Sequence, residues 1–349
     1  YPGHPMGAAS DTPLTPLIDP HGRRVKDLRI SVTDRCNFRC TYCMPREIFG
    51  PGYEFLKRSE ILSYEEITRL SRIFVSQGVE KIRITGGEPL VRKDLDSLIA
   101  QLRAIPGLKD LTLTTNGSLL RGQAEKLKDA GLERITVSLD SLDEAIFKSM
   151  NDVGVSPSVI LDGIEAAKAA GLAPIKVNAV VKRGTNDHTI VDLARHFKGT
   201  GVIVRFIEFM DVGATNGWQL EHVVTGREII ERINAELPIE PAEANYRGEV
   251  ARRWRYRDGS GEVGVITSIS EPFCGDCTRA RLSPEGELYT CLFGVRGHDF
   301  RGLLRSGATD EEVSEFLASV WRVRDDRYSE LRTAETALLP KVEMSHIGG

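Results

Sequence analysis

Long apolar runs are missing from this chain. No stretch approaches the roughly 20 apolar residues of a membrane-spanning helix, so the sequence given carries no helical membrane anchor. Excess charge of either sign is missing too, since 46 Lys and Arg face 50 Asp and Glu for a formal net charge of −4. That balance creates no overall field to gather nucleic acid or an anionic membrane, and neither partner is expected. Cysteine is scarce, with 6 residues in 349 and none between Cys43 and Cys274. A chain of this length buries enough apolar surface to fold without disulfide staples. The N-terminal stretch YPGHPMGAASDTPLTPLIDP lacks the apolar core of a signal peptide. Residues 1–20 are expected to be a disordered leader, and the protein to be cytoplasmic, where thiols stay reduced.

The six cysteines that are present fall into two groups of three. Cys36, Cys40 and Cys43 lie in SVTDRCNFRCTYCMP, directly after a strand pattern at Asp27–Val32. Thiolates this close can share one soft metal centre, and loops leaving strands are where α/β proteins put their chemistry. A structural zinc site or a fully ligated iron–sulfur cluster takes four protein ligands. Three would leave one iron open to bind something that reacts, although a plain zinc knuckle stays an alternative. Cys274 and Cys277 are followed after thirteen residues by Cys291. Zinc completed by His298 and a second cluster with an open iron both fit that spacing.

Apolar strand patterns alternate with amphipathic helical ones. Strands are expected at Asp27–Val32, Lys81–Thr85, Leu111–Thr115, Arg134–Leu139, Pro174–Val181 and Val202–Phe209. Ser63 to Glu66 reads as a capping box, and Gly131, Gly171 and Gly199 as residues that end helices. Six β–α repeats with near-continuous apolar strands point to a parallel sheet covered by helices, either a partial open barrel or a doubly wound sheet. Past residue 220 the rhythm gives way to hairpin patterns. The expected division is a leader at 1–20, a partial barrel at 21–220, and a β-rich extension with a Gly-Gly tail at 221–349.

Four strands carry a cation between apolar neighbours: Arg29, Arg83, Lys176 and Arg205. Successive strand side chains alternate faces, so if the apolar neighbours pack under helices all four cations point into the lumen. Each could pair with an interior carboxylate such as Glu88, Asp140 or Glu208; four together call for a polyanionic ligand. Arg279 and Arg281 share one face beside the second triplet, as a fork for phosphate or carboxylate or as a solvated edge. Gly86-Gly87-Glu88-Pro89, Thr114-Thr115-Asn116-Gly117, Ser138-Leu139-Asp140-Ser141 and Met210 fall at strand ends, where a nucleoside would be met, although turns and core packing use the same residues.

The spacing C-x3-C-x2-C, with Tyr42 before the last cysteine, resembles the signature of radical S-adenosylmethionine (SAM) enzymes. That resemblance implies the partial (β/α)6 barrel and a SAM-cleaving [4Fe–4S] cluster. DLRISVTDRCNFRCTYCMP, KIRITGGEPL, TTNG, RFIEFMDVG, FCGDCTRARLS, RDDRYSE and the terminal Gly-Gly carry a denser similarity, from about Asp27 to Gly349. It is to the branch of that family that cyclises GTP in the first step of molybdenum cofactor biosynthesis, by taking H3′ from the ribose and joining C3′ to guanine C8. It implies that Cys36, Cys40 and Cys43 hold one [4Fe–4S] cluster and Cys274, Cys277 and Cys291 a second. Tyr42, Gly87, Ser138 and Met210 would contact SAM. Arg29, Arg83, Thr114, Lys176, Arg279, Ala280 and Arg281 would bind GTP, and Arg205, Gly348 and Gly349 are further candidates. The implied partners are a flavodoxin-like electron donor and a downstream cyclic pyranopterin monophosphate synthase, with the enzyme a monomer or homodimer. Two other readings stay in view, a two-cluster radical enzyme that matures peptides or sulfatases, and a zinc-binding or electron-transfer module.

Overall fold

A computed structural model describes residues 17–333, 336 and 339–348. Six strands pair in parallel with their sequence neighbours: β1 (Asp27–Ser31), β2 (Lys81–Thr85), β3 (Asp110–Thr115), β4 (Arg134–Ser138), β5 (Ile175–Val181) and β6 (Ile203–Glu208). Helices over Tyr64–Ser76, Leu95–Arg103, Ala124–Asp129, Pro157–Ala169 and Ile190–Phe197 lie between them. This is the partial (β/α)6 barrel that the resemblance implied, one of the two arrangements the alternation left open. The capping box forms as read: Ser63 Oγ accepts from the Glu66 N–H, and the Glu66 carboxylate accepts from the Ser63 N–H at 2.7 Å. One helix, Glu144–Asn151, escaped the sequence reading. It is short and buries only two apolar side chains, Phe147 and Met150, too few to show a period.

Strand alternation does the sorting of side chains. Leu28, Ile30, Ile82, Ile84, Leu111, Leu113, Val177 and Val204 are each 1% exposed or less, so their face is the core under the helices. Each such burial stabilises the fold by roughly 1.5–3 kcal/mol. The residues between them are thereby turned to the opposite face, into the lumen.

The β-rich extension is not a separate layer. β7 (Ile239–Ala242), β8 (Arg252–Tyr256) and β9 (Glu262–Ile266) form an antiparallel meander, and β9 pairs in parallel with β6. β10 (Arg279–Leu282) pairs in parallel with β1, and β11 (Glu287–Tyr289) and β12 (His298–Asp299) follow antiparallel. The twelve strands run β12-β11-β10-β1-β2-β3-β4-β5-β6-β9-β8-β7. An open barrel leaves unpaired N–H and C=O groups at both edges, and this chain covers both with its own C-terminal third. The expected leader lies outside the described residues up to residue 16. From there on the chain is packed, with Leu17 and Asp19 buried and Ile18 bridging to Arg24.

Candidate active site

The loop after β1 brings Cys36, Cys40 and Cys43 to the end of the barrel, where the Cys40 carbonyl accepts from the Cys43 and Met44 N–H groups at 2.9 and 2.8 Å. Gly86-Gly87-Glu88 leaves β2 and docks on that loop: the Gly87 N–H donates to Thr33 O and the Glu88 N–H to Arg35 O, both at 2.8 Å. A Cβ on Gly87 would stand 2.4 Å from Arg35 O, so close approach of the two loops demands glycine there. The Glu88 carboxylate accepts from the Leu90 N–H (3.0 Å), the Thr115 hydroxyl (2.6 Å) and the Asn116 N–H (2.7 Å). Burial lifts its pKa to about 7. Tyr42 donates to Asp140 Oδ2 at 2.7 Å, and burial likewise lifts Asp140 to about 6. Tyr42, Gly87, Ser138 and Met210 thus surround the same space as the first triplet.

The second triplet faces that space from the other side. Cys274 and Cys277 sit in a tight turn, closed by the Cys277 N–H donating to Cys274 O at 3.1 Å, and Cys291 lies just past β11. All six cysteines are free thiols and line one cavity of about 290 Å³. Their sulfurs are met by N–H donors: Phe38 to Cys36 at 3.3 Å, Arg279 Nη2 to Cys277 at 3.2 Å, and Phe293 to Cys291 at 3.5 Å. Burial pushes Cys36 and Cys291 up to about 12. At Cys277 burial acts the same way, but the Arg279 and Arg324 guanidiniums outweigh it and bring the thiol down to about 6. Among the described residues, no three His, Cys, Asp or Glu side chains converge on a single metal ion. A cluster of several irons makes a different demand, since each thiolate of a triplet can bind a different iron. His298 is exposed on β12 and does not line the cavity, so the zinc arrangement that needed it lacks its fourth ligand.

Between the triplets the wall is cationic. In register across three parallel strands stand Arg281, Arg29 and Arg83; in the next row toward the strand starts stand Arg279, Asp27 and Lys81. Lys176 and Arg205 line the same cavity from β5 and β6, and Thr114 from β3. None of Arg29, Arg83, Lys176, Arg205, Arg279 or Arg281 makes an ion pair among the described residues. Arg83 donates to Thr114 (2.8 Å) and Thr136 (3.2 Å), and Arg205 to Asn178 (2.9 Å); the buried Nε atoms of Arg29 and Arg83 have no partner there. Burial and the neighbouring Arg281 hold Arg29 well below the usual arginine range. Burial also brings Lys176 to about 8 and Arg205 to about 9, with neighbouring arginines adding to it.

The interior carboxylates do not neutralise these cations. Glu88 and Asp140 hold the loops as described, and Glu208 accepts from the Gly226, Ile269 and Ser270 N–H groups. Asp27 does stand among the cations, paired with Lys81 at 2.8 Å, and Glu249 lines the same cavity. Burial opposes ionisation of Asp27, but Lys81, Arg29 and Arg83 outweigh burial and hold it well below the usual carboxylate range. Asp27 and Lys81 were missed in the sequence, although each lies two residues before a recognised lumen cation and so shares its face. The Ala280 side chain is fully buried in the core on the opposite face of β10, and the side chains of that strand that line the cavity are Arg279 and Arg281. The C-terminal tail also arrives here, with Arg281 Nη1 donating to the Gly348 carbonyl. Gly349 lies outside the described residues.

A parallel β/α barrel with three clustered thiols at its mouth defines the radical SAM class, and the pattern of the Radical SAM superfamily matches residues 30–197. The pattern named Molybdenum Cofactor Synthesis C matches residues 202–330. The chain is 53% identical to the GTP 3′,8-cyclase of Acidothermus cellulolyticus, over 96% of this chain and 99% of that one. It is 49% identical to the GTP 3′,8-cyclase of Staphylococcus aureus strain JH9, over 95% and 99%. The protein belongs to the GTP 3′,8-cyclase family. Among solved structures, Streptococcus suis SuiB bound to S-adenosylmethionine shares the fold, with a TM-score of 0.62 at 16% identity, covering 90% of this chain and 69% of SuiB. Family membership brings with it a [4Fe–4S] cluster and SAM as cofactor.

Proposed function

We propose that this protein converts GTP into (8S)-3′,8-cyclo-7,8-dihydroguanosine 5′-triphosphate, the first step of molybdenum cofactor biosynthesis. The observation that carries the reading is the in-register row Arg281, Arg29 and Arg83, none of which makes an ion pair among the described residues. Like charges opposite one another on adjacent strands are destabilising, and buried charges are costly unless paired. A triphosphate resolves both. Supporting it are the names of the relatives, GTP 3′,8-cyclases over nearly their full length.

In this reading Cys36, Cys40 and Cys43 hold the first cluster, with Tyr42, Gly87, Ser138 and Met210 around SAM. Cys274, Cys277 and Cys291 hold a second [4Fe–4S] cluster. When bound, the first cluster and SAM supply a carbon radical that removes a hydrogen atom. The chain's own task is positioning. Arg29, Arg83, Lys176, Arg205, Arg279 and Arg281 fix the triphosphate, Thr114 adds a hydroxyl, and the buried walls exclude water that would compete at the ribose. Residues 21–220 form the radical unit and 221–349 the substrate-binding extension. A flavodoxin-like donor delivers the electron, a cyclic pyranopterin monophosphate synthase consumes the product, and the protein acts as a monomer or homodimer.

The test is an anaerobic turnover with SAM, a chemical reductant and GTP deuterated at C3′. Deuterium is expected in 5′-deoxyadenosine, together with the cyclised nucleotide. Cofactor cleavage without label transfer would remove GTP as the substrate and favour a peptide-modifying enzyme.

The lowered lysine pKa values give a second check. Lys176 sits near 8 against an ordinary 10.5, and Lys81 likewise near 8, so both are largely neutral at pH 9 in the ligand-free protein. A bound triphosphate favours their charged forms. GTP binding at pH 9 is therefore expected to take up about one proton or more, and close to none at pH 7. Calorimetry in two buffers of different ionisation enthalpy measures this; equal uptake at both pH values would place the triphosphate away from these lysines. At both lysines burial outweighs any nearby carboxylate, so the sign for stability is the reverse of that of a lysine whose pKa a partner raises. The unfolded chain holds more protons between about pH 8 and 10.5, so these groups make the ligand-free protein more stable as pH rises through that window.

A further inference from the structure

Behind the second cysteine triplet lies a buried ionic group that the proposed chemistry does not use. Asp19 Oδ2 accepts from Arg23 Nε at 2.6 Å and lies 3.3 Å from Arg324 Nη1, and all three side chains are 1% exposed or less. Asp19 Oδ1 accepts from the His21 and Arg23 N–H groups, both at 2.9 Å, which fixes the turn that presents it. The two guanidiniums spend their remaining donors mainly on main-chain carbonyls. Arg23 Nη1 donates to Cys274 O (3.0 Å) and Asp326 O (2.7 Å). Arg324 donates through Nη1 to Cys277 O (2.8 Å) and through Nε to Thr290 O (3.1 Å), the residue before Cys291. Arg324 also lies over the Trp321 ring at 4.6 Å, and Trp321 Nε1 donates to Arg23 O at 3.1 Å.

These contacts have a common target. The triplet lies within residues 274–291, and two guanidiniums gathered by one carboxylate from distant parts of the chain touch it at Cys274 O, Cys277 O and Thr290 O, each a peptide belonging to, or next to, a cysteine. Burying two arginines around one aspartate is weak evidence for stability in itself, since an apolar group of the same volume often does as well. Such a group is better understood as a device that fixes geometry. Outer contacts of this kind orient metal ligands, and their loss typically weakens metal binding 10- to 100-fold.

We infer that Asp19, Arg23 and Arg324 form a positioning frame that sets the spacing of Cys274, Cys277 and Cys291 before a cluster is inserted. The inference rests on the proposed reading of that triplet as a cluster site. Asp19→Asn keeps the shape and the turn but removes the charge that gathers both guanidiniums. Arg324→Lys keeps the charge but loses the fork that spans Cys277 O, Thr290 O and Asp19. Both variants and the unaltered protein are reconstituted anaerobically for iron and sulfide counts. In parallel, their metal-free forms are alkylated, with labelling resolved cysteine by cysteine.

The unaltered protein is expected to hold about eight irons and each variant about four. SAM cleavage without GTP should persist, because the first triplet is untouched. In the metal-free variants Cys274, Cys277 and Cys291 should label about tenfold faster or more, with Cys36, Cys40 and Cys43 unchanged. Variants with unaltered iron and labelling would overturn the frame. So would equal acceleration at both triplets, which is a general loss of structure, or an Arg324→Lys protein that behaves like the parent, which would reduce the effect to charge. Only about four irons in the unaltered protein would instead sink the cluster reading, while the labelling comparison would still judge the frame.

Discussion

Replacing Gly348 by alanine is expected to stop cyclisation while leaving iron content and GTP-independent SAM cleavage near their unaltered values. Gly348 has φ +75°, and a Cβ there would stand 2.1 Å from Thr85 Cγ2 at the end of β2. The left-handed backbone alone costs an L-residue roughly 1–2 kcal/mol, and the clash with a strand-end side chain cannot be relieved in place. The tail is tied down just upstream. Glu343 accepts from the Ala214 N–H (2.9 Å) and the Thr215 hydroxyl (3.0 Å), and His346 pairs with Glu285 at 2.6 Å. With those anchors in place, the strain falls on the last residues and pulls the Gly348 carbonyl away from Arg281. A misplacement of about 1 Å in a positioning group can lower turnover on the order of 100-fold. Anaerobic single-turnover assays of cyclised product measure the effect, and removing Gly348 and Gly349 together should reproduce it. A fully active Gly348→Ala protein would mean that the tail end plays no part in the reaction.

Arg281→Met is expected to move binding and stability in opposite directions. Arg281 is buried directly across from half-buried Arg29 and helps hold it below the usual arginine range, while burial and the neighbouring Arg279 bring Arg281 itself down to about 10. Methionine keeps much of the volume and removes one of three guanidiniums in register. The ligand-free protein should therefore melt at a higher temperature, because an uncompensated buried charge is gone. GTP should bind about 30-fold more weakly or worse, since truncating one partner of a buried charge pair costs about 2–5 kcal/mol. Thermal melts with and without GTP read both effects at once. Unchanged GTP affinity would take Arg281 out of the site, and a lowered melting temperature would mean that the contact to Gly348 outweighs the repulsion.

The contrast between Arg281 and Ala280 shows how far the sequence could be read. Alternation along a strand is local and strict, so the lumen faces of Arg29, Arg83, Lys176 and Arg205 followed from their apolar neighbours, and Arg279 and Arg281 were seen to share one face. Applied more fully, it would have added Asp27 and Lys81 and placed Ala280 in the core. The resemblance names Ala280 as a contact, and a family motif does not state which of its side chains turn inward. The carboxylates were harder. Glu88, Asp140 and Glu208 sit at strand ends, where a main-chain N–H and a buried cation are equally available in principle, and only the loop geometry decides for the N–H groups. The Asp19–Arg23–Arg324 group left no local signal, because its members meet across nearly the whole chain. The joining of β10 to β1 was illegible for the same reason.

That joining has a consequence for how the protein is made. β1 leaves the ribosome long before its partner β10, and β6 likewise waits for β9. Contacts this distant along a chain slow folding. Until the C-terminal third emerges, the nascent barrel displays two naked strand edges of the kind that template aggregation. A premature stop after β6 would therefore yield not a smaller radical enzyme but a sticky half-sheet. Attempts to express the two matched regions as independent pieces should meet the same fate unless both are present together.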